Sequence, residues 1–161
     1  MYNFSKLCSL GARMIDAPSG VNPEALLWAI GWAESTCGRN NVPRHEKAYH
    51  RGGPYFNRVL DRKFGCAAHC SYGPWQIMFE NVWAISGKSV TPQEMNDTIT
   101  ALVVSVEWLN KRVIGRGANT VRKIADAWNS GTHRDRIVPV AYIDNVAKKY
   151  SECVADMRGE R

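Results

Sequence analysis

The chain has 161 residues, the size of one ordinary domain with a sizeable core, and its 45% hydrophobic and 22% charged residues are near the norm for a globular protein. A net charge of +6 and a sequence pI near 9.2 favour an anionic partner, but the basic residues are scattered (Arg58, Arg62 and Lys63 come nearest to a cluster). No aromatic-and-basic motif accompanies them, which argues against a nucleic-acid binder, and no stretch approaches the roughly 20 apolar residues of a membrane span.

Helix signals dominate the chain. A first short helix is predicted from about Phe4 to Met14. The next is better marked: Asn22 can cap it, Pro23 suits the first helical position, Glu24 complements the positive helix end, and Gly38 is a stop. The polar run Arg39 to Gly53 reads as loop. Tyr55 to Phe64 reads as a further helix with Phe56, Val59, Leu60 and Phe64 on its apolar side, and Cys66 to Gly73 as loop. Thr91-Pro92-Gln93-Glu94 is a capping box, and the helix it starts carries Met95, Ile99, Leu102, Val106, Leu109 and Val113 at helical spacing before Gly115. Thr120 opens another helix through Ile124 and Trp128 that stops near Gly131, and a last one covers roughly Pro139 to Val154. No alternating run makes a long strand, so any sheet is small and lies between Arg39 and Ile85. The expected fold class is mainly α with at most a small β element, in one domain over residues 1–161.

The five cysteines, Cys8, Cys37, Cys66, Cys70 and Cys153, are an odd number, so at least one thiol has no partner within the chain. Cys66-Ala-Ala-His69-Cys70 has some likeness to metal spacing, but a zinc site needs four ligands and no second close pair supplies them. A disulfide that braces a long loop is the stronger expectation, with free thiols as the alternative. Met1 to Ala17 carries polar residues throughout and does not read as a secretory leader. Six Trp and six Tyr are generous for this length; such rings can stack on sugars, though core packing is the commoner use.

Glu34 is the first candidate for chemistry. It ends a helix that is apolar almost all round, four residues after Ile30 and seven after Leu27, so it falls within the buried stripe. A carboxyl there loses solvation, its pKa rises, and it keeps a proton available near neutral pH as a general acid must. The bland alternative is a glutamate that reaches solvent or pairs with Arg39. Gly31, in mid-helix, costs about 1 kcal/mol relative to Ala and suggests close approach by another backbone.

Four segments then occur in an order that resembles a known family. Glu34-Ser35, Ser71-Tyr72-Gly73-Pro74-Trp75-Gln76-Ile77-Met78, Ala127-Trp128-Asn129-Ser130-Gly131 and Tyr142-Ile143-Asp144-Asn145-Val146 are similar to the Glu-Ser, Gly-Leu-Met-Gln-Ile-Met, Ala-Tyr-Asn-Ala-Gly and Tyr-Val motifs of lytic transglycosylases with a soluble-transglycosylase-type domain, relatives of goose-type lysozyme. They cover roughly residues 23–150. The resemblance implies a lysozyme-like fold and cleavage of peptidoglycan glycan strands, with no metal or organic cofactor. It implies Glu34 as catalytic acid and base, Ser35 in support at the helix end, Gln76 and Asn129 in the sugar groove, and the Tyr142 hydroxyl near the catalytic carboxyl. Without the motifs, buried amides satisfying backbone groups and plain core packing would explain Gln76, Asn129 and Tyr142. Pro74-Trp75 stands where the family has Leu-Met, and Trp128 where it has Tyr.

The gap between Glu34 and Gly73 is longer than in the simplest members. It holds Arg44-His45-Glu46, which resembles an Arg-Tyr-Glu-Pro motif of a phage-type subgroup with Lys47 in place of the Pro. Glu46 is a second active-site carboxyl or the structural partner of an arginine, the latter favoured; Asp61 and Glu80, the other candidate acids, read as surface charges. The implied product is 1,6-anhydroMurNAc. The alternatives are a hydrolytic muramidase on the same fold and a non-catalytic wall-binding or virion protein. The implied partners are glycan strands alone, met by a monomer at the cell wall, whether periplasmic, extracellular or phage-delivered.

Overall fold

A computed structural model describes residues 3–131, 133 and 136–160. The chain is mainly helical with a small three-stranded sheet. Its helices are α1 (Phe4–Ala12), α2 (Pro23–Ser35), α3 (Arg58–Phe64), α4 (Phe79–Ile85), α5 (Thr98–Trp108), α6 (Val121–Ser130) and α7 (Val140–Met157). The strands are β1 (Arg44–His45), β2 (Cys70–Tyr72) and β3 (Ile77–Met78), antiparallel in the order β1-β2-β3. Arg44 pairs with Ser71, and Tyr72 with Ile77.

Helix α2 is the centre of the molecule, packed on α1 and α7. The local chemistry expected at its start is present: the Asn22 side chain accepts from the Ala25 N–H at 3.0 Å, and Pro23 opens the first turn. Leu26, Leu27 and Ile30 are fully buried, each contributing about 1.5–3 kcal/mol of transfer free energy. The helix ends earlier than Gly38, at Ser35, because Thr36 turns into the left-handed region (φ 53°). A Cβ on Gly31 would collide with the Phe4 ring, so the close approach inferred there is by a side chain of α1 rather than by backbone.

Other boundaries move as well. Helix α1 stops at Ala12. Helix α3 starts only at Arg58, where Asn57 accepts from two backbone N–H groups, and Val59 is 69% exposed rather than apolar-side. The stretch expected as loop after Cys66 is a 3₁₀ turn, Gly65–His69, followed by β2. The capping box at Thr91 forms, with the Thr91 N–H donating to Glu94 at 2.7 Å, but it closes only the 3₁₀ turn Glu94–Asn96. Asp97 then caps α5 afresh by accepting from Thr100 N–H at 2.8 Å. Leu109 and Val113 follow in a π-helical segment, Leu109–Val113. Helix α6 keeps its expected ends, Thr120 and Gly131, and α7 begins after Pro139 but runs on to Met157.

All five cysteines are free, so no disulfide braces the 39–73 segment. Cys66 and Cys70 follow one another along a single turn and strand, while Cys8 and Cys153 are buried in helices. Among the described residues no helix is long and apolar enough to cross a membrane.

Candidate active site

The end of α2, the β1 strand, the β2–β3 turn, the end of α6 and the first turn of α7 converge on one cleft. Glu34, Arg44, Glu46, Gln76 and Asn129 line it, and Tyr142 reaches the same carboxyl from α7. Five of the six residues singled out from the sequence therefore meet here, and the sixth, Ser35, stands directly behind.

Glu34 is 8% exposed at its side chain. The Tyr142 hydroxyl donates to its Oε1 at 2.7 Å, and Arg44 faces its Oε2 at 3.6 Å, an ion pair beyond hydrogen-bonding range. Burial pushes the Glu34 pKa up; the Tyr142 hydrogen bond and the Arg44 charge pull it down, and the neighbouring Glu46 charge adds to the rise. Burial prevails, so the carboxyl holds its proton above the usual glutamate range. The alternative of a Glu34 that reaches solvent or pairs with Arg39 gives way to burial and these two contacts. Burial, and then the Glu34 charge, also raise the Tyr142 pKa well above its ordinary value, so the phenol stays protonated and remains a donor.

Ser35 is buried and holds the end of α2 against the β2–β3 turn. Its Oγ donates to the Pro74 carbonyl at 2.5 Å and accepts from the Gly38 N–H at 2.8 Å. Gln76 closes that turn with φ 47°, an unusual conformation for a residue other than glycine. Its amide is held by the protein: Oε1 accepts from Ser71 at 2.8 Å and Nε2 donates to the Gly73 carbonyl at 2.9 Å. It is a fixed wall of the cleft. The neighbouring Trp75 is fully buried and donates to the Leu27 carbonyl at 2.9 Å, so this departure from the family motif is a core residue and leaves the groove wall alone.

Glu46 pairs with Arg44 at 2.6 Å, the structural partnership favoured from the sequence, yet it also lines the cleft. Residues two apart on a strand share a face, which sets Arg44 and Glu46 toward the cleft and His45 away from it, in edge contact with His50 at 3.9 Å. Asp61 and Glu80 are partly exposed charges, with side chains 19% and 18% exposed, and both are paired. Asp61 is engaged by Arg51 at 3.2 Å and His69 at 3.0 Å, and Glu80 by Asn57 and His133, both at 3.0 Å. Neither lines the cleft. Among the described residues no three His, Cys, Asp or Glu side chains gather so as to hold a metal ion; His69, of the metal-like spacing, binds Asp61.

Sequence reasoning missed Arg44, Asn81 and Trp108 as cleft residues. Arg44 stands beside Glu46 in the Arg44-His45-Glu46 motif, and that pairing of an arginine with a candidate acid is a signal that could have found it. Asn81 and Trp108 sit on α4 and α5 within core-like patterns and gave none. Asn81 Oδ1, Trp108 Nε1 and Asn129 Oδ1 are buried without a hydrogen-bond partner among the described residues, and all three side chains line the cleft. Proteins seldom leave such atoms unpaired, so their convergence marks the cleft as a place for a polar ligand. Its free volume is ≈ 60 Å³, and Arg44, 53% exposed at its side chain, forms part of its rim.

No family model, curated protein or solved structure matches this chain.

Proposed function

We propose that the chain is a peptidoglycan lytic transglycosylase of lysozyme-like fold that cleaves the MurNAc-β-1,4-GlcNAc bond, with Glu34 as acid and then base. The observation that carries this reading is the convergence of four separate sequence motifs on one cleft around a buried carboxyl. Protonated Glu34 donates to the oxygen linking the two sugars as that bond breaks. The resulting carboxylate takes the proton of the MurNAc C6 hydroxyl as its oxygen closes onto C1. The product is a 1,6-anhydro sugar, no water is consumed, and Glu34 ends protonated as it began. A carboxyl with a raised pKa suits both halves. Tyr142 holds Oε1, and Arg44 faces Oε2 and steadies the charged state between the steps.

A second reading is hydrolysis on the same site. The observation that favours it is Glu46, a second carboxyl lining the same cleft, as a two-carboxyl glycosidase requires. Mass spectrometry of digested peptidoglycan decides between them. Anhydro ends support the transglycosylase, and reducing ends, heavier by one water, the muramidase. No cleavage by a folded chain would leave a non-catalytic wall or virion protein. Glu34→Gln should lower lysis by roughly 10²–10⁴-fold with folding intact; a normal rate would refute the assignment.

A further inference from the structure

The 39–73 segment carries a second concavity that the cleavage chemistry does not use. It is a hollow of ≈ 370 Å³ lined by Arg51, Phe56, Arg58, Asp61 and Arg62. Three arginines and one aspartate thus line the hollow, and the carboxylate is committed: Asp61 Oδ2 meets Arg51 and Oδ1 meets His69. Among the described residues no carboxylate ion-pairs with Arg58 or Arg62. Those two stand four apart on α3, on one helix face, where like charges repel. Gathering a third arginine at the same hollow adds to the repulsion, and an anion entering it offsets the cost.

We infer that this hollow binds the free carboxylates of a peptide attached to the glycan strand. Guanidinium forks match carboxylates with two parallel hydrogen bonds, and Phe56 offers an apolar wall for the aliphatic part of a peptide. The hollow is coupled to the cleft through one residue. The His69 ring holds Asp61, and the His69 carbonyl accepts from the Glu46 N–H at 2.9 Å. The choice of ligand rests on the peptidoglycan reading; the excess positive charge does not.

The test is binding, not cleavage. A sugar-free stem peptide with free carboxylates is titrated into the full chain and followed by NMR. Its affinity should fall about tenfold or more in Arg58→Gln/Arg62→Gln, a change at two exposed positions, because charge-assisted pairs are lost. The same peptide with its carboxylates amidated should bind the unaltered chain as weakly, a comparison that does not depend on the variant folding. Equal binding by the amidated peptide, or by a folded double variant, overturns the inference. So does inorganic phosphate binding as tightly as the peptide, since the site would then be a general anion site. A chain that binds the peptide but cuts no glycan refutes the transglycosylase reading alone.

Discussion

Tyr142 and Glu34 stand 108 positions apart in the chain and meet at 2.7 Å, the phenol donating to the carboxyl. The contact ties the first turn of α7 to the last turn of α2 beside the cleft. It also tunes the acid. A hydroxyl that donates to a carboxylate stabilises the charged form, so it opposes the rise that burial imposes.

Tyr142→Phe removes that opposition and little else, since the ring remains to pack. The Glu34 pKa should rise further. The alkaline limb of the pH–rate profile, which reports loss of the acid form, should move to higher pH while the maximal rate falls. A limb that stays in place would mean that the hydroxyl does not act on Glu34.

Ser35→Ala should cost stability. It leaves the Gly38 N–H and the Pro74 carbonyl without the bonds that Ser35 supplies in a buried setting. Each buried polar group left unpaired costs about 1–3 kcal/mol. For a domain of this length that is a fall in melting temperature of roughly 2–4 °C per kcal/mol. Calorimetry checks it, and an unchanged melting temperature would show that the turn is held by other contacts.

What the sequence made legible was local. Asn22, Pro23 and Glu24 announce α2, and the apolar run behind them explains why Glu34 is buried. The size and place of the sheet were legible, a small one between Arg39 and Ile85, but its strands were not, because strands of two and three residues are too short to show an alternation of period two. The capping box at Thr91 was real, but nothing before Asp97 says that the chain will be capped twice. Trp108 escaped for a different reason. One polar atom of a core residue turned toward a cleft leaves the hydrophobic pattern unchanged, so only tertiary packing reveals it.

Gly73→Ala should be among the most damaging single changes at the site's edge. Gly73 has φ 73°, and a Cβ there would lie 2.5 Å from the Ala101 Cβ on α5. Left-handed backbone costs a residue with a Cβ about 1–2 kcal/mol, and overpacking adds about 1–3 kcal/mol. The Gly73 carbonyl holds Gln76 through two hydrogen bonds, so the cleft wall should shift as well. Denaturant unfolding gives the first effect and the rate of wall lysis the second. A stable, fully active variant would contradict both.

Thiol chemistry offers an independent check on the packing. Of five free cysteines only Cys66 is exposed; Cys37 is intermediate, and burial pushes its pKa up to about 11. Dithionitrobenzoate should modify one thiol quickly in the native chain and the rest only after unfolding. Reduction should leave the melting temperature where it was. Fewer than five thiols in the denatured, unreduced chain would reveal a disulfide that the structure lacks.

The last prediction follows from the sign of the Glu34 shift. An ordinary glutamate has a pKa near 4.5, and the folded value is higher. Between the two, the folded chain still holds a proton that the unfolded chain has released. Stability must therefore decline as pH rises through that interval. The contribution is fully present below the unfolded value and lost once pH passes the folded one, where a charged carboxylate stays buried. Glu34→Gln carries no such dependence, because the amide keeps the shape, still accepts from Tyr142, and does not titrate. The two proteins should melt at similar temperatures near the ordinary glutamate pKa, and the variant should gain a growing advantage toward neutral pH before levelling off. The same substitution that removes activity would then stabilise the fold, as expected when burial of an acid serves catalysis at the expense of folding. Thermal melts of both proteins across that pH range measure the difference directly. If the unaltered chain becomes the more stable one as pH rises, Tyr142 and Arg44 outweigh burial, the Glu34 pKa is depressed, and its role as the proton donor fails.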